Sequence, residues 1–219
     1  MAITATNLTH SNGTSASSAV TESISPKKGR LILVSVTHQN TARTPTVSGC
    51  NLTFAEVTSV TVGDMKHTVL RSLGSPTDGA LTISFGGSVD RYAYNVDEFS
   101  GVDITGTNGS GAIVQSGSNT GTGTSISVTL GAFSNINNAT YGTTALQGQN
   151  TTTHAITPGT GFTELGDDYS DPGEFNNNNQ TQYKSTNDTG VDSSWSGTNT
   201  ASIIGIEIKF GQPFMGAMI

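Results

Sequence analysis

The sequence predicts an all-β fold: a single antiparallel β-sandwich, jelly-roll-like, of about a dozen short strands. Three observations lead there. Apolar and polar residues alternate with a period of two in many short runs. Glycine, proline and asparagine signals punctuate those runs at regular intervals. No window carries the three- and four-residue apolar spacing of an amphipathic helix. Composition agrees, because only 33% of the 219 residues are apolar and only 11% are charged, against ~25% charged in an average domain. A thin two-layer body suits so sparse an apolar content, since each strand gives only alternate residues to the core.

Taken in chain order, residues 19–24 open the strand pattern, and residues 30–37 (RLILVSVT) are almost continuously apolar, as in a central strand covered on both faces. Residues 52–60 and 67–72 follow. Leu81, Ile83 and Phe85 alternate with Thr82 and Ser84, then Gly86-Gly87 reads as a turn before Tyr92, Tyr94 and Val96. Residues 111–116 and Ile126, Val128 and Leu130 continue the pattern, as do 140–146, 161–165, 181–185 and 191–195. The last strand, residues 203–210 (IIGIEIKF), puts Ile204, Ile206, Ile208 and Phe210 on one face and Glu207 and Lys209 on the other. The sandwich is therefore expected over residues 1–210. The low-complexity stretch EFNNNNQTQ around Asn176 and Asn179 reads as a surface loop. Residues 211–219 form an apolar tail.

Charge is −7 overall and uneven. No lysine or arginine lies between Tyr92 and Tyr183, and the only basic cluster, Lys27, Lys28 and Arg30, reads as a solvated turn. A phosphate-tracking surface needs clustered cations, so nucleic acid is not an expected partner. No stretch approaches the ~20 apolar residues of a membrane helix, so no membrane partner is expected either. The opening Met-Ala-Ile-Thr-Ala-Thr-Asn lacks the basic and apolar regions of a signal peptide, and synthesis in a cytoplasm is expected. A single cysteine, Cys50, leaves no intrachain disulfide.

Candidate sites are few. Asp97 and Glu98, with Asp103 nearby, resemble a glycosidase carboxylate pair, but neighbours on a strand point to opposite faces and cannot converge on one substrate. His10, His38, His67 and His154 are scattered without metal-ligand spacing. No nucleophile elbow, phosphate loop or dinucleotide fingerprint is present, so neither an enzyme nor a cofactor is expected. The acidic segment 166–174 (GDDYSDPGE) gathers Asp167, Asp168, Asp171 and Glu174. It lacks the spacing of a calcium loop and reads as a solvated loop, with a weak cation site as the alternative. Trp195, Tyr92 and Tyr94 read as sheet packing, whereas Tyr169 and Tyr183 are the better candidates for an exposed glycan or receptor contact. The tail residues Phe214, Met215, Met218 and Ile219 read either as folding over the chain's own sandwich or as docking onto a partner, for which Ile3 and Leu8 of the opening segment are candidates too.

Several stretches taken in order resemble a known group: Ala2-Ile-Thr-Ala-Thr-Asn-Leu-Thr9, Arg30-Leu-Ile-Leu-Val34, Val96-Asp-Glu-Phe-Ser-Gly-Val-Asp103, Gly159-Thr-Gly-Phe-Thr-Glu-Leu-Gly166 and Ile203-Ile-Gly-Ile-Glu-Ile-Lys209. Together they are similar to small β-sandwich proteins from the structural gene modules of tailed bacteriophages. The resemblance spans residues 2–209 and rests on strand and turn sequences, so it carries no functional residue across. It implies a virion structural protein, most concretely a capsid decoration or cement protein on the particle surface. Its implied partners are the major capsid protein and sister copies. A receptor- or carbohydrate-binding module of a tail fibre or spike is the alternative.

Overall fold

The computed structural model describes residues 2–148, 155–169 and 176–211. The chain is an antiparallel all-β sandwich of two packed sheets. The first sheet is made by β1 (Thr4–Val20), β2 (Leu31–Gln39), β3 (Thr46–Gly49), β4 (Leu52–Thr53), β5 (Ala55–Val62), β6 (Met65–Ser72) and β7 (Leu81–Ser100). The second is made by β8 (Ile113–Thr129), β9 (Ala139–Gly148), β10 (Thr157–Pro158), β11 (Thr163–Tyr169), β12 (Asn176–Lys184) and β13 (Gly190–Ile208). A short 3-10 turn, Ser110–Ala112, precedes β8.

Each sheet comes from one contiguous half of the chain. Successive strands thus stay within a sheet, where a jelly roll would shuttle between two. The first sheet runs β4-β3-β7-β2-β6-β5 with β1 added along β7; the second runs β10-β13-β9-β12-β11 with β8 added along β13. The two halves share one strand plan. Among the described residues their ends meet at the bridge from Val102 to Phe210.

Not all strands are short. β1, β7, β8 and β13 have 17, 20, 17 and 19 residues. Gly86-Gly87 does not end a strand: with φ of 73° and 150° the pair bends β7 in place. The polar opening segment is likewise strand, because β1 pairs with β7 from Thr4 to Val20.

Three apolar clusters follow from strand alternation. Ile32, Val34 and Val36 of β2 join Phe85, Val89, Tyr94 and Val96 of β7 on the far face of the first sheet. Ile126, Val128, Val191, Trp195 and Ile203 fill the far face of the second. Between the sheets, Ile3, Leu31, Leu33, Phe99, Tyr141, Ile204, Ile206 and Ile208 mix residues of both halves. Every residue of β2 is buried, as the apolar run 30–37 predicts for a strand covered on both faces.

The asparagine run is the main correction. Asn177, Asn178, Asn179, Gln180, Thr181 and Gln182 lie in β12, paired to β9 on one side and β11 on the other, each at most 1% exposed. Asn177 and Asn179 meet Thr37, Asn95 and Ser35 of the opposite sheet, and Gln182 on the other face bonds to Gly159 and Ser193 of its own half.

Candidate functional site

Polar side chains converge between the sheets. Six strands facing this layer change character along their length. Inward residues run from Leu31 and Leu33 to Ser35 and Thr37 on β2, and from Phe99 to Asp97 and Asn95 on β7. They run from Tyr141 to Thr143 on β9, from Ile208 and Ile206 to Ser202 on β13, from Val69 to His67 on β6, and from Tyr183 to Asn179 and Asn177 on β12. Antiparallel pairing brings all the apolar ends together at one end and all the polar ends together at the other.

The polar end is one connected network. Asn7 donates to Asp97 Oδ1 at 2.8 Å and to Asn95 Oδ1 at 3.3 Å. Tyr141 Oη–H donates to Asp97 Oδ2 at 3.2 Å. Asn95 donates to Asn179 at 2.9 Å (backbone oxygen) and 2.8 Å (Oδ1), and Asn179 donates to Ser35 Oγ at 2.9 Å. Ser35 meets Thr143 at 2.8 Å and His67 Nε2 at 3.1 Å; His67 Nδ1 meets Ser202 at 3.1 Å. A buried polar group left unpaired costs about 1–3 kcal/mol, and this network supplies the partners.

Burial dominates the electrostatics. It holds the His67 imidazole down to about 3, so the ring is neutral. It pushes the Asp97 carboxyl up to about 6 against the hydrogen bonds from Asn7, Thr181 and Tyr141. The Tyr141 phenol is driven well above its usual value by burial, with the Asp97 charge adding to it.

At one edge the network continues into a seam where β1 packs on β11. His10 Nδ1 lies 3.1 Å from Asp168 Oδ2, and Asn12 donates to Asp168 Oδ1 at 2.5 Å. Asp167 is pushed up to about 7 by burial, with the Glu164 and Asp168 charges adding, and its Oδ2 accepts from the Ile156 amide at 2.9 Å. Gly166 permits the contact: a Cβ there would collide with Asn95 Oδ1 and crowd Asn7.

The segment 166–174 is thus not simply a solvated loop. Residues 166–169 are strand β11, with Asp167 and Asp168 packed against neighbours. Asp171 and Glu174 lie outside the described residues. Among the described residues no three His, Cys, Asp or Glu side chains are grouped to hold a metal ion.

The other anticipated residues fall as follows. Asp97 and Glu98 point to opposite faces: Asp97 bonds to Tyr141 between the sheets, and Glu98 bonds to Arg30 at 2.7 Å on the far side. Ile3 is fully buried between the sheets and Leu8 packs against the first-sheet cluster, so both serve this subunit's own core. Tyr183 is half-buried there too, its ring 6.3 Å from Phe99 at a near-perpendicular angle, rather than displayed. Trp195 is buried and donates to the Gly123 carbonyl at 3.0 Å, as packing predicts. The Tyr169 side chain and Phe214, Met215, Met218 and Ile219 lie outside the described residues.

Concavities open on the surface among the described residues. One of about 410 Å³ is lined by Gln39, Asn40, Thr41, Asp64, Asp90 and Gln147. A groove of about 370 Å³ runs along Asn119, Thr122, Ser125, Ser127 and Asp192. The third, of about 410 Å³, lies at Val102, Ile104, Lys209 and Gly211. His67 and Asp97 line none of these three. Compared with known protein families, curated proteins and solved structures, the chain matches none.

Proposed function

We propose that this chain is a bacteriophage virion structural protein, most concretely a decoration or cement protein that binds the outer shell and bridges capsid subunits. The observation that carries the reading is where the chemistry sits. A connected set of polar and titratable groups, from Asn7 and Asp97 to His67 and Ser202, is fastened between two sheets and held in mutual hydrogen bonds. Such a layer fixes one sheet against the other. A shell-bound protein needs a rigid body of this kind, and many copies on a symmetric lattice multiply a modest contact by avidity. The resemblance to phage β-sandwich proteins supports the same reading.

Quantitative mass spectrometry of purified particles tests it. Copy numbers comparable with the shell subunit are expected. A handful per particle would replace decoration with a fibre or spike role, and absence from particles would overturn the virion reading.

A receptor- or carbohydrate-binding role is the second reading. It is favoured by the polar groove at Asn119, Thr122, Ser125, Ser127 and Asp192, whose side chains match the hydrogen-bonding needs of a sugar. Saturable glycan binding lost in Asp192→Ala would support it.

A further inference from the structure

The two halves match beyond strand order. The β5–β6 ladder slips once, between Glu56 and Thr58, and the β11–β12 ladder slips once, between Glu164 and Gly166. These slips fall at the ends of Phe54-Ala-Glu-Val57 and Phe162-Thr-Glu-Leu165. The long β1–β7 ladder breaks where Ala16 and Ser18 face Val89 and Ser84; the β8–β13 ladder breaks where Gly123 and Ser125 face Asn199 and Ser194. Each break holds a glycine of positive φ, Gly86 or Gly197, beside a large aromatic, Phe85 or Trp195, buried in its own half's outer cluster.

The contacts between the halves match as well. Ser35 on β2 and Thr143 on β9 occupy corresponding positions and bond to each other at 2.8 Å. His67 on β6 corresponds to Asn179 on β12. His67 reaches across to Thr143 at 3.2 Å, and Asn179 reaches back to Ser35 at 2.9 Å. Strand edges repeat the pattern, β1 against β11 and β8 against β5. Residue i of one unit meets j of the other, and the residue corresponding to j meets the one corresponding to i: the halves are related by a pseudo-two-fold axis.

We propose that the inter-sheet face is a self-recognition surface, and that the corresponding half of a second copy of this chain can occupy it. Each half pairs its strands within itself, and one stretch between Asp103 and Ala112 joins them. That stretch contains Gly106, Asn108 and Gly109 at positive φ, a turn that can reopen without breaking a sheet. Exchange between two chains rebuilds every inter-sheet contact and changes only this connection, which makes the half-exchanged dimer a low-cost assembly. The inference stands independently of the particle role.

Two variants test it. In the first, deleting residues 104–111 removes the path around Lys209, whose backbone bonds to both Asp103 and Ala112. Light scattering is expected to give a dimer with the circular dichroism of the parent; a folded monomer would overturn the proposal. The second guards against a deletion that fails to fold. A protease site replaces residues 105–108 of the full chain, which is cleaved after folding. Fragments that stay together, and that form hybrids when labelled and unlabelled preparations are mixed, support the proposal. Fragments that separate, or that never form hybrids after mild denaturation and dilution, overturn it.

Discussion

The two ends of the inter-sheet layer do different work with the same backbone. At the apolar end Leu31, Leu33, Phe99, Ile206 and Ile208 meet with no directional demand, and the Phe99 and Tyr141 rings cross at 5.6 Å and 87°. Attraction there scales with buried area and tolerates small slides. At the polar end Ser35, His67, Thr143, Asn95, Asn179 and Asp97 have fixed partners. A one-residue slip of any strand would turn its polar row away and leave buried donors unmet. One end supplies cohesion and the other supplies register.

The largest effect that separates the ends is acid sensitivity. The fold keeps His67 neutral down to about pH 3, whereas an unfolded imidazole takes its proton near 6.5. Below 6.5 the unfolded chain binds a proton that the fold refuses, so stability falls as pH drops toward 3, by about 5 kcal/mol in full. His67→Asn, which copies the corresponding Asn179, should lose this share of the acid dependence in urea melts across pH. An unchanged acid profile would show that the polar end is not where acid acts.

At the apolar end, Leu33→Ala should cost about 3 kcal/mol at every pH, because a fully buried side chain leaves a cavity. A pH-dependent cost would blur the distinction between the ends. Asp97 works in the opposite sense to His67. Its folded carboxyl titrates near 6 against about 4 unfolded, so stability falls as pH rises through that window and is lower by about 3 kcal/mol above it. Asp97→Asn should abolish this slope, with the amide accepting from Asn7 and donating to Tyr141. Gly166→Ala should cost about 2 kcal/mol by pushing β11 off Asn95 and Asn7. The smallest effect is Ser35→Ala, about 1 kcal/mol, and a cycle with Thr143→Val should reveal coupling between them.

These contrasts also mark what could be read from the chain. β2 was legible because residues 31–34 are apolar on both faces, and Ile126, Val128, Ile204, Ile206 and Ile208 were legible through alternation. β12 was legible only from Thr181 onward: the Asn and Gln side chains before it carry no hydrophobic signal, and Ser35 and Asn95, which receive Asn179, are remote in sequence. β1 was missed for the same reason, since TNLTHSNGTSAS is polar and its strand character comes from backbone pairing with β7. Alternation separated Asp97 from Glu98 correctly, yet nothing local distinguishes a buried aspartate from an exposed one. The paired Phe54-Ala-Glu-Val57 and Phe162-Thr-Glu-Leu165 segments were the one trace of the repeated plan, too short to register without the ladders around them.

What the sequence determined by itself was the class of structure and the strands that carry apolar residues, β2 and the ends of β8 and β13 among them, because period-two patterning follows from local strand geometry. Tertiary structure alone decided that two equivalent half-sheets face each other and that an asparagine-rich strand lies in the interior. It also decided that His67 and Asp97 titrate far from their ordinary values. Those properties depend on which groups meet across the gap between sheets, and a polar side chain becomes a core residue only when its partners arrive from elsewhere in the chain.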